Sequence, residues 1–447
     1  MALEFLMMKR RRFKRATYCS ATKYLEAGHF VLFGLHALRV PVIGAVSCYD
    51  ATTERQLKDK PMTSPVSEED FAEFLDIIRR FTDEKLKPIE LKVDDEGGIP
   101  EPVVQQMREL GLFGMTIPRK YDGLELSIEQ QCRATFEFTQ TSATFRSRFS
   151  TTLGLASQAI LFSGRPDQCD AYLPKLASGE WTGSFGLTEP GAGSDAGGIT
   201  TRARRNGNEY VINGEKCYIT NAPDADVFVI MARTGETDSG NKGISAFIVD
   251  ADTPGLSTGR HDHKMGQHAS HTSNVFFDDC RIPASALLGE EEGRGFKTAM
   301  AGINAARMHV AATCVGQATR LIQEALAYAL QRVQFNQPIA EFQSVQNMLA
   351  DSQAENLAAR SMILETARRL DAGELALGDM SSCKLFATEM VCRVADRAVQ
   401  ILGGAGYMDG NIVSRMYRDV RLFRIFEGTS QIHQGIIAKE MIKAARG

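Results

Sequence analysis

A carboxylate close to the end of the chain is the first candidate for chemistry. Glu427 follows two large apolar residues, Ile425 and Phe426, and precedes Gly428 and a hydroxyl-bearing residue that could begin a last helix. Apolar neighbours disfavour the carboxylate anion and raise its pKa, which suits a general base. The structural alternative is that Glu427 caps this helix or pairs with an arginine such as Arg421. The residues alone leave both roles open.

A glycine-rich segment is the second candidate. Residues 185–195 read FGLTEPGAGSD, and the proline and small residues predict a tight loop whose backbone N–H groups could closely approach a ligand. The glycines at 191, 193 and 197 do not form a dinucleotide fingerprint, because no strand pattern leads directly into them and no helical pattern follows. Taken alone, the segment is equally compatible with a turn that binds nothing.

Histidine and cysteine residues could hold a metal ion. Half of the eight histidines, His261, His263, His268 and His271, lie in one loop-like segment. No cysteine or glutamate completes a ligand set there, so we predict a solvated or ion-paired loop and no metal. The nine cysteines are odd in number and form no CxxC pair, which predicts buried thiols rather than disulfides or a zinc site.

Three regions of different patterning would position these residues. Residues 63–183 show apolar residues at helical spacing, beginning with Ser67 as a candidate cap for a helix. Residues 184–292 contain short β-branched and aromatic runs with Asn-Gly pairs at Asn206 and Asn213, the strongest short signal for hairpins. Residues 293–447 return to long helical runs. This order predicts an α+β fold with an N-terminal helical domain, a middle antiparallel β-barrel or sandwich, and a C-terminal four-helix bundle.

Composition limits the remaining possibilities. The 447 residues carry a formal charge of −4, which argues against a nucleic-acid binder that works through bulk positive charge. No run of apolar residues is long enough for a transmembrane helix. Residues 1–62 are basic and acid-poor, so we interpret them as an extension, either a targeting segment or a stretch before a start at Met62. Bacterial cytoplasm is the predicted location, with the mitochondrial matrix as the alternative.

A series of collinear motifs between about residues 65 and 446 resembles the acyl-CoA dehydrogenase family. The motifs are residues 185–194, Tyr218-Ile-Thr-Asn221, Lys264-Met-Gly266, Arg332-Val-Gln-Phe335 with Phe342-Gln343, residues 400–404, and residues 426–431. The three patterned regions also resemble the helical, β-barrel and four-helix-bundle domains of that family.

The resemblance implies that FAD binds without a Rossmann unit. Residues implied to hold the isoalloxazine ring are Phe185, Leu187, Thr188, Gly193, Ser194, Tyr218, Ile219 and Thr220. Residues implied to contact the FAD of a neighbouring subunit are Arg332, Gln334, Phe335, Gln343, Gln400, Ile401, Gly403 and Gly404. Thr429, Ser430 and Gln431 would reach the pyrophosphate, where a helix N-terminus favours negative charge. A shared site implies a homo-oligomer, and the family usually forms homotetramers.

The activity implied by the resemblance is α,β-dehydrogenation of an acyl-CoA thioester to the trans-2-enoyl-CoA, a step of fatty-acid β-oxidation. Glu427 would remove the α-proton while the β-hydrogen leaves as hydride to the flavin, and electrons would pass to an electron-transfer flavoprotein. Implied substrate contacts are Ser194, Asn304, Arg307 and Gly428. Some family branches carry the base immediately before the arginine that Arg307 matches, but that position is Ala306 here, which leaves Glu427 as the candidate.

Several departures from the family pattern blur the substrate assignment. Tyr218 stands where tryptophan is frequent, Asn304 where aspartate is frequent, and Gln434 where arginine is frequent. Asn336 replaces the glycine expected after Phe335, which is acceptable if the backbone is left-handed there. The alternatives are an oxidase or flavin monooxygenase relative that reduces O2, and a non-catalytic scaffold that binds acyl-CoA.

Overall fold

The structure is a computed structural model that describes residues 66–374 and 377–446. The predicted extension at residues 1–62 lies outside the described residues. The predicted succession of a helical region, a sheet region and a second helical region is confirmed.

The first region consists of seven short helices around an aromatic core. Ser67 caps the first helix, and its hydroxyl accepts a hydrogen bond from the Asp70 N–H at 3.1 Å. The core includes Phe71, Phe74 and Phe113, all fully buried. The helices are α1 (Glu68–Phe81), α2 (Glu90–Glu96), α3 (Glu101–Glu109), α4 (Ile128–Phe138), α5 (Ala143–Thr151), α6 (Ser157–Ser163) and α7 (Pro166–Ser178), with a π-helical turn, Thr152–Ala156, between α5 and α6.

The second region is a mixed sheet of seven strands. Its strands are β1 (Gly183–Gly186), β2 (Arg202–Asn206), β3 (Glu209–Thr220), β4 (Val227–Arg233), β5 (Ile244–Asp250), β6 (Leu256–Thr258) and β7 (Thr272–Pro283). The order is β1-β4-β2-β3-β7-β6, with β5 paired to β4. Most pairings are antiparallel, as predicted, but β4 runs parallel to β1 and bridges β2 in parallel. β1 and β4 can pair in parallel because the chain between them, which contains the glycine-rich loop, β2 and β3, is long enough to return to the same end of the sheet.

The two Asn-Gly pairs behave differently. Asn206 pairs with Glu209 across the predicted hairpin between β2 and β3. Asn213-Gly214 does not turn the chain: it lies inside β3, where the register against β7 shifts at a bulge. Asn213 exchanges hydrogen bonds with Asp279 of β7 at 3.0 and 2.8 Å, so side-chain pairing holds the strand together where the ladder is interrupted.

The third region is dominated by four long helices, α8 (Gly295–Gln331), α9 (Gln343–Asp371), α10 (Leu377–Leu402) and α13 (Ser430–Arg446). Smaller elements connect them: the hairpin strands β8 (Val333–Gln334) and β9 (Gln337–Pro338), and the helices α11 (Gly404–Tyr407) and α12 (Ile412–Val420). Small side chains such as Ala311, Ala318 and Ala387 allow α8 and α10 to pack closely. Across the described ranges, no helix is both long and apolar enough to span a membrane.

Candidate active site

Glu427 lies in a tight turn immediately before α13. Its φ is 53° and that of Gly428 is 93°, so the chain makes two successive left-handed residues here. Two buried side chains hold the turn: Lys384 Nζ donates to the Gly428 carbonyl at 2.6 Å, and His433 Nε2 lies 3.2 Å from the Glu427 carbonyl oxygen. A positive φ at a non-glycine residue is strained, and such strain concentrates where a side chain must be aimed.

The Glu427 carboxylate is partly buried and makes no ion pair or hydrogen bond with any residue that the structure describes. The alternative of a pair with Arg421 is therefore not found, and Arg424 instead donates to Glu389 at 2.8 Å. Burial raises the pKa of Glu427 to about 7, although Arg146, Lys384 and Arg307 oppose this rise. A carboxyl group with such a pKa is half ionised near neutrality, where a general base is most effective.

Three cations from three different helices act electrostatically on this carboxylate. Lys384 of α10 is fully buried, and burial lowers its pKa to about 8. Arg307 of α8 donates to the Asn304 side chain at 2.7 Å, which brings two predicted substrate contacts together. Arg146 of α5 is also buried, and burial lowers its pKa to about 10. The site therefore has a positive potential, which favours the negative charge of an ionised base or of an enolate.

The glycine-rich segment at residues 185–195 begins inside β1 and continues as a loop after Gly186, so the expectation that no strand leads into it is wrong. A buried ion pair holds the loop in place. Lys216 Nζ donates to Glu189 at 2.7 Å and to the Leu187 carbonyl at 3.1 Å. Glu189 also accepts the backbone N–H groups of Thr200 and Thr201. Burial disfavours both charges, but Lys216 holds the pKa of Glu189 well below its usual range.

The loop and the end of β3 form one surface. The Cys217 N–H donates to the Thr188 carbonyl at 2.9 Å, and the Ser184 hydroxyl donates to the Thr220 carbonyl at 2.6 Å. Tyr218 is 73% exposed with a φ of 59°. Of the eight residues predicted to hold the isoalloxazine ring, five are at least partly exposed here: Thr188, Gly193, Ser194, Tyr218 and Thr220. The other three, Phe185, Leu187 and Ile219, are buried beneath them.

Asn221 connects this surface to the helix that carries Arg146. Its side-chain amide donates to the carbonyls of Ser147 and Arg148 on α5, at 3.3 and 3.2 Å. Asn221 is buried and has a φ of 61°, which asparagine tolerates better than most residues. Helix α5 is therefore bonded to the end of β3, and Arg146 on this helix acts electrostatically on Glu427.

A second group of predicted cofactor residues lies at the ends of the long helices. Phe335, 88% exposed, and Asn336 form the tip of the β8–β9 hairpin with φ of 50° and 63°, which confirms the expected left-handed backbone at Asn336. Arg332, Gln334 and Gln343 are exposed around the hairpin, while Gln400, Gly403 and Gly404 are exposed and Ile401 is buried at the end of α10. Within the described ranges, no hydrogen bond joins this group to the glycine-rich loop.

Beside this group, a cavity of about 500 Å³ separates the end of α8, at Tyr328 and Gln331, from Leu402. The remaining predicted contacts begin α13. Ser430 is buried and donates to Glu389 at 2.6 Å, the Thr429 hydroxyl accepts from the Ile432 N–H, and Gln431 is exposed.

The histidine segment forms ion pairs. His271 Nδ1 lies 2.8 Å from Asp224 and Nε2 lies 2.7 Å from the Gly97 carbonyl, and the hydrogen bond with Asp224 raises the pKa of His271. His268 pairs with Asp94, and His261 stacks on His271. Within residues 66–374 and 377–446, no group of three or more potential ligands is arranged to hold a metal. The seven cysteines of this part are free thiols.

Comparison with known proteins settles the family. Domain models described as the N-terminal, middle and C-terminal domains of acyl-CoA dehydrogenase match residues 68–180, 184–280 and 293–442. The chain belongs to the acyl-CoA dehydrogenase family. As a member of this family of flavoproteins, the dehydrogenase uses FAD.

The match to individual relatives extends over nearly the whole length of each relative. The dehydrogenase is 40% identical to the probable acyl-CoA dehydrogenase YngJ of Bacillus subtilis, over 82% of this chain and 97% of the relative. It is 38% identical to CarC of Acetobacterium woodii, a subunit of the caffeyl-CoA reductase-Etf complex, over 79% of this chain and 92% of the relative. The butyryl-CoA dehydrogenase structure from Megasphaera elsdenii matches with a TM-score of 0.81 and 34% identity, over 85% of this chain and all of that chain.

Four residues that shape this site were not among the predicted site residues: Arg146, Lys216 and Lys384, and Asn221, which was named only as part of a motif. Only Lys384 has a clear signal in the sequence. It takes one position of an otherwise uncharged stripe at helical spacing, with Met380, Ala387 and Val391, and a lysine in such a stripe must be buried or must interrupt it.

Proposed function

We propose that this acyl-CoA dehydrogenase removes the α-proton of an acyl-CoA thioester with Glu427 and produces the trans-2-enoyl-CoA. The observation that carries the proposal is an unpaired, partly buried carboxylate with a pKa of about 7, on which three cations act electrostatically. A base of this kind binds the abstracted proton readily at neutral pH and releases it between turnovers.

The surface formed by the glycine-rich loop and the end of β3, which Asn221 joins to α5, fits FAD. Gly191 and Gly193 leave open space where a Cβ would stand, so backbone N–H groups of the loop can approach a ring closely. Tyr218 offers an exposed aromatic face on the same surface. When bound, FAD supplies the acceptor for the β-hydrogen. We assign Thr188, Tyr218 and Thr220 among the residues that hold it, with Thr429 and Gln431 at the α13 N-terminus for its phosphates.

The turn at Glu427 also supplies a donor for the thioester. The Glu427 N–H donates no hydrogen bond to any group in the described part of the chain, so it is available for the thioester oxygen. Negative charge develops on that oxygen as the α-proton leaves, and a preorganised N–H in a positive environment stabilises it. Lys384 fixes the donor and the base together because it bonds the adjacent Gly428 carbonyl.

Electron transfer and assembly are further parts of the proposal. We assign an electron-transfer flavoprotein as the acceptor, supported by the relative CarC, which is named as part of a reductase-Etf complex. We also propose a homotetramer, supported by the exposure of Phe335, Gln334 and Gln400, which would contact the FAD of a neighbouring subunit. Because CarC is named as part of a reductase complex, the reverse direction, in which an enoyl-CoA is reduced, is the second candidate for this site.

The test is anaerobic bleaching of the flavin by acyl-CoA. We expect wild type to bleach, Glu427→Gln to retain FAD without bleaching, and the exposed control Glu290→Gln to behave as wild type. The wild-type rate should rise with pH through about 7, because only the ionised carboxylate accepts the proton. Full bleaching by Glu427→Gln would exclude this residue as the base. Rapid peroxide formation in air without another acceptor would indicate an oxidase, and a colourless protein without retained FAD would indicate a scaffold.

A further inference from the structure

The turn that carries Glu427 needs support from the residues around it. Glu427 has a φ of 53° and Gly428 a φ of 93°, and the left-handed region is strained for a residue that has a Cβ. Rotation of the backbone out of this region would turn the carboxylate and the N–H of Glu427 away from the thioester. Contacts that fix the two carbonyl groups of the turn therefore decide how often the base is in place.

One side chain reaches each of these two carbonyl groups. Lys384 Nζ donates to the Gly428 carbonyl at 2.6 Å. His433, the fourth residue of α13, places Nε2 3.2 Å from the Glu427 carbonyl oxygen. The carbon of that carbonyl is bonded to the Cα of the base. His433 therefore contacts the backbone of the residue that would do the chemistry, while its ring takes no part in the reaction.

Packing leaves the imidazole of His433 little room to move. The side chain is fully buried, and the backbone N–H of His433 donates to the Thr429 carbonyl at 3.1 Å in the first turn of α13. The ring lies directly against Gly428: a Cβ at this residue would stand 3.1 Å from Nε2 and 3.5 Å from Cε1. Because Gly428 has no side chain, the ring can approach the turn closely enough to reach the Glu427 carbonyl.

His433 is a neutral side chain with a single donor. Burial, together with the cations Lys384 of α10 and Arg307 of α8, lowers its pKa to about 3. A neutral imidazole carries one N–H and a carbonyl oxygen only accepts, which assigns the hydrogen to Nε2. Nδ1 is enclosed and has no hydrogen-bond partner among the described residues. The ring therefore uses its one donor on the Glu427 carbonyl and adds no charge to the site.

Building on the proposed role of Glu427 as the base, we propose that His433 is a positioning residue for it. The Nε2–H of His433 holds the Glu427 carbonyl, and with it the carboxylate and the N–H of Glu427, in the orientation that removes the α-proton. Because the ring is neutral, it determines how often the base is in place and leaves the proton affinity of the base unchanged. Lys384 differs, because it both holds the turn and acts on the base as a charge.

Loss of this hydrogen bond should slow proton abstraction without changing its pH dependence. His433→Leu leaves the Glu427 carbonyl unpaired against a buried apolar side chain, which disfavours the productive turn by about tenfold to a hundredfold. Displacement of a reacting group by about 1 Å lowers a rate by a similar factor. His433→Gln replaces the ring by a side-chain amide that can still donate, so we expect it to recover most of the wild-type rate.

Two measurements on the FAD-loaded enzyme separate proton abstraction from the rest of the reaction. The first is the anaerobic bleaching rate at several pH values, with the saturated acyl-CoA that bleaches wild type fastest. The second is exchange of the α-hydrogens of the 3-thia analogue of that acyl-CoA with D2O, followed by mass spectrometry. Sulfur replaces the β-carbon of the analogue, so the α-proton can leave but no hydride can follow.

The expected result is a change in rate alone. For His433→Leu, both rates should fall about tenfold to a hundredfold. The dissociation constant of the 3-thia analogue, the FAD content and the pH midpoint of bleaching should stay at their wild-type values. The matched control is His263→Leu, the same replacement at an exposed histidine, which should behave as wild type in every measurement.

Three results would overturn the inference. One is a His433→Leu holoenzyme with wild-type rates of bleaching and exchange. Another is a shifted pH midpoint in this variant, which would mean that the histidine acts on the charge of the base. The third is a His433→Gln holoenzyme slowed as far as expected for His433→Leu, and this result decides the question even where leucine does not yield folded protein. Failure of the base proposal gives a different result, because Glu427→Gln would then exchange the α-hydrogens as fast as wild type.

Discussion

Replacement of Lys384 by methionine separates the two effects that this lysine has on the site. Lys384→Met preserves an unbranched side chain of similar length but removes the ammonium group. The Gly428 carbonyl loses its donor at 2.6 Å, and Glu427 loses one of the three cations that favour its ionised form. The first change acts on the position of the base and the second acts on its proton affinity.

The effect on stability at pH 7 should be modest because two terms oppose each other. Burial lowers the Lys384 pKa from 10.5 to about 8, which corresponds to a penalty of about 3 kcal/mol for the charged form. The substitution relieves that penalty but leaves a buried carbonyl unpaired, at a cost of about 1–3 kcal/mol. We therefore expect the free energy of unfolding at pH 7 to change by less than about 2 kcal/mol.

The pH dependence should change more clearly. Between pH 8 and 10.5 the unfolded state binds more protons at Lys384 than the folded state, so wild-type stability gains from this group as pH rises through that interval. Lys384→Met loses this gain. In catalysis, loss of a cation raises the pKa of Glu427 above its wild-type value of about 7, so the rate should reach half its maximum at a higher pH.

The assay pairs stopped-flow bleaching of the flavin at pH 5.5–9 with denaturant unfolding at pH 7 and pH 9.5. Lys439→Met, an exposed lysine on α13, is the matched control and should change neither quantity. If Lys384→Met loses more than about 4 kcal/mol of stability and keeps the wild-type pH midpoint, the lysine is structural and our electrostatic reasoning is wrong.

Three further predictions concern the supports of the site. Lys216→Met leaves Glu189 buried without its cation and should cost about 3–5 kcal/mol in denaturant unfolding, with loss of FAD; unchanged stability would contradict the pairing. Phe335→Ala, at an exposed tip, should change stability by less than about 0.5 kcal/mol but weaken oligomerisation and FAD retention, and an intact holo-oligomer by light scattering would refute this. The raised pKa of His271 means that its pair with Asp224 stabilises the fold below pH 6.5 and weakens as pH rises through the folded pKa. His271→Ala should therefore lower Tm more at pH 5.5 than at pH 9, and an equal loss at both would contradict it.

Features with a local physical cause could be predicted from the sequence. Ser67 caps α1 because a hydroxyl three residues before a free N–H satisfies it, and the hairpin after Asn206 follows from the left-handed preference of Asn-Gly. The apolar neighbours Ile425 and Phe426 predict a raised pKa for Glu427, and its pKa is raised in the structure. The limits of the three domains at residues 63, 184 and 293 stay predictions.

Features that depend on distant contacts could not be predicted. Asn213-Gly214 has the same two residues as the hairpin pair, but Asp279 of β7 bonds Asn213, so the chain continues as a bulged strand. The four residues of β1 are too few to show an alternating pattern, and their pairing with β4 depends on residues more than forty positions away. Nothing in the sequence distinguishes Arg146 from a surface residue of α5. Its burial, and its electrostatic effect on Glu427, depend on how the other helices pack against α5.

Arg146 and Glu427 together lead to a last prediction about the basicity of the site. Arg146 favours the ionised form of Glu427 and so lowers its pKa. Arg146→Gln removes this charge, so the pKa of Glu427 should rise, and the pH at which the bleaching rate reaches half its maximum should be higher than in wild type. Arg148→Gln, on the same helix but bonded to Thr182, should leave this midpoint unchanged. An unchanged midpoint in Arg146→Gln would show that this arginine does not act on the base.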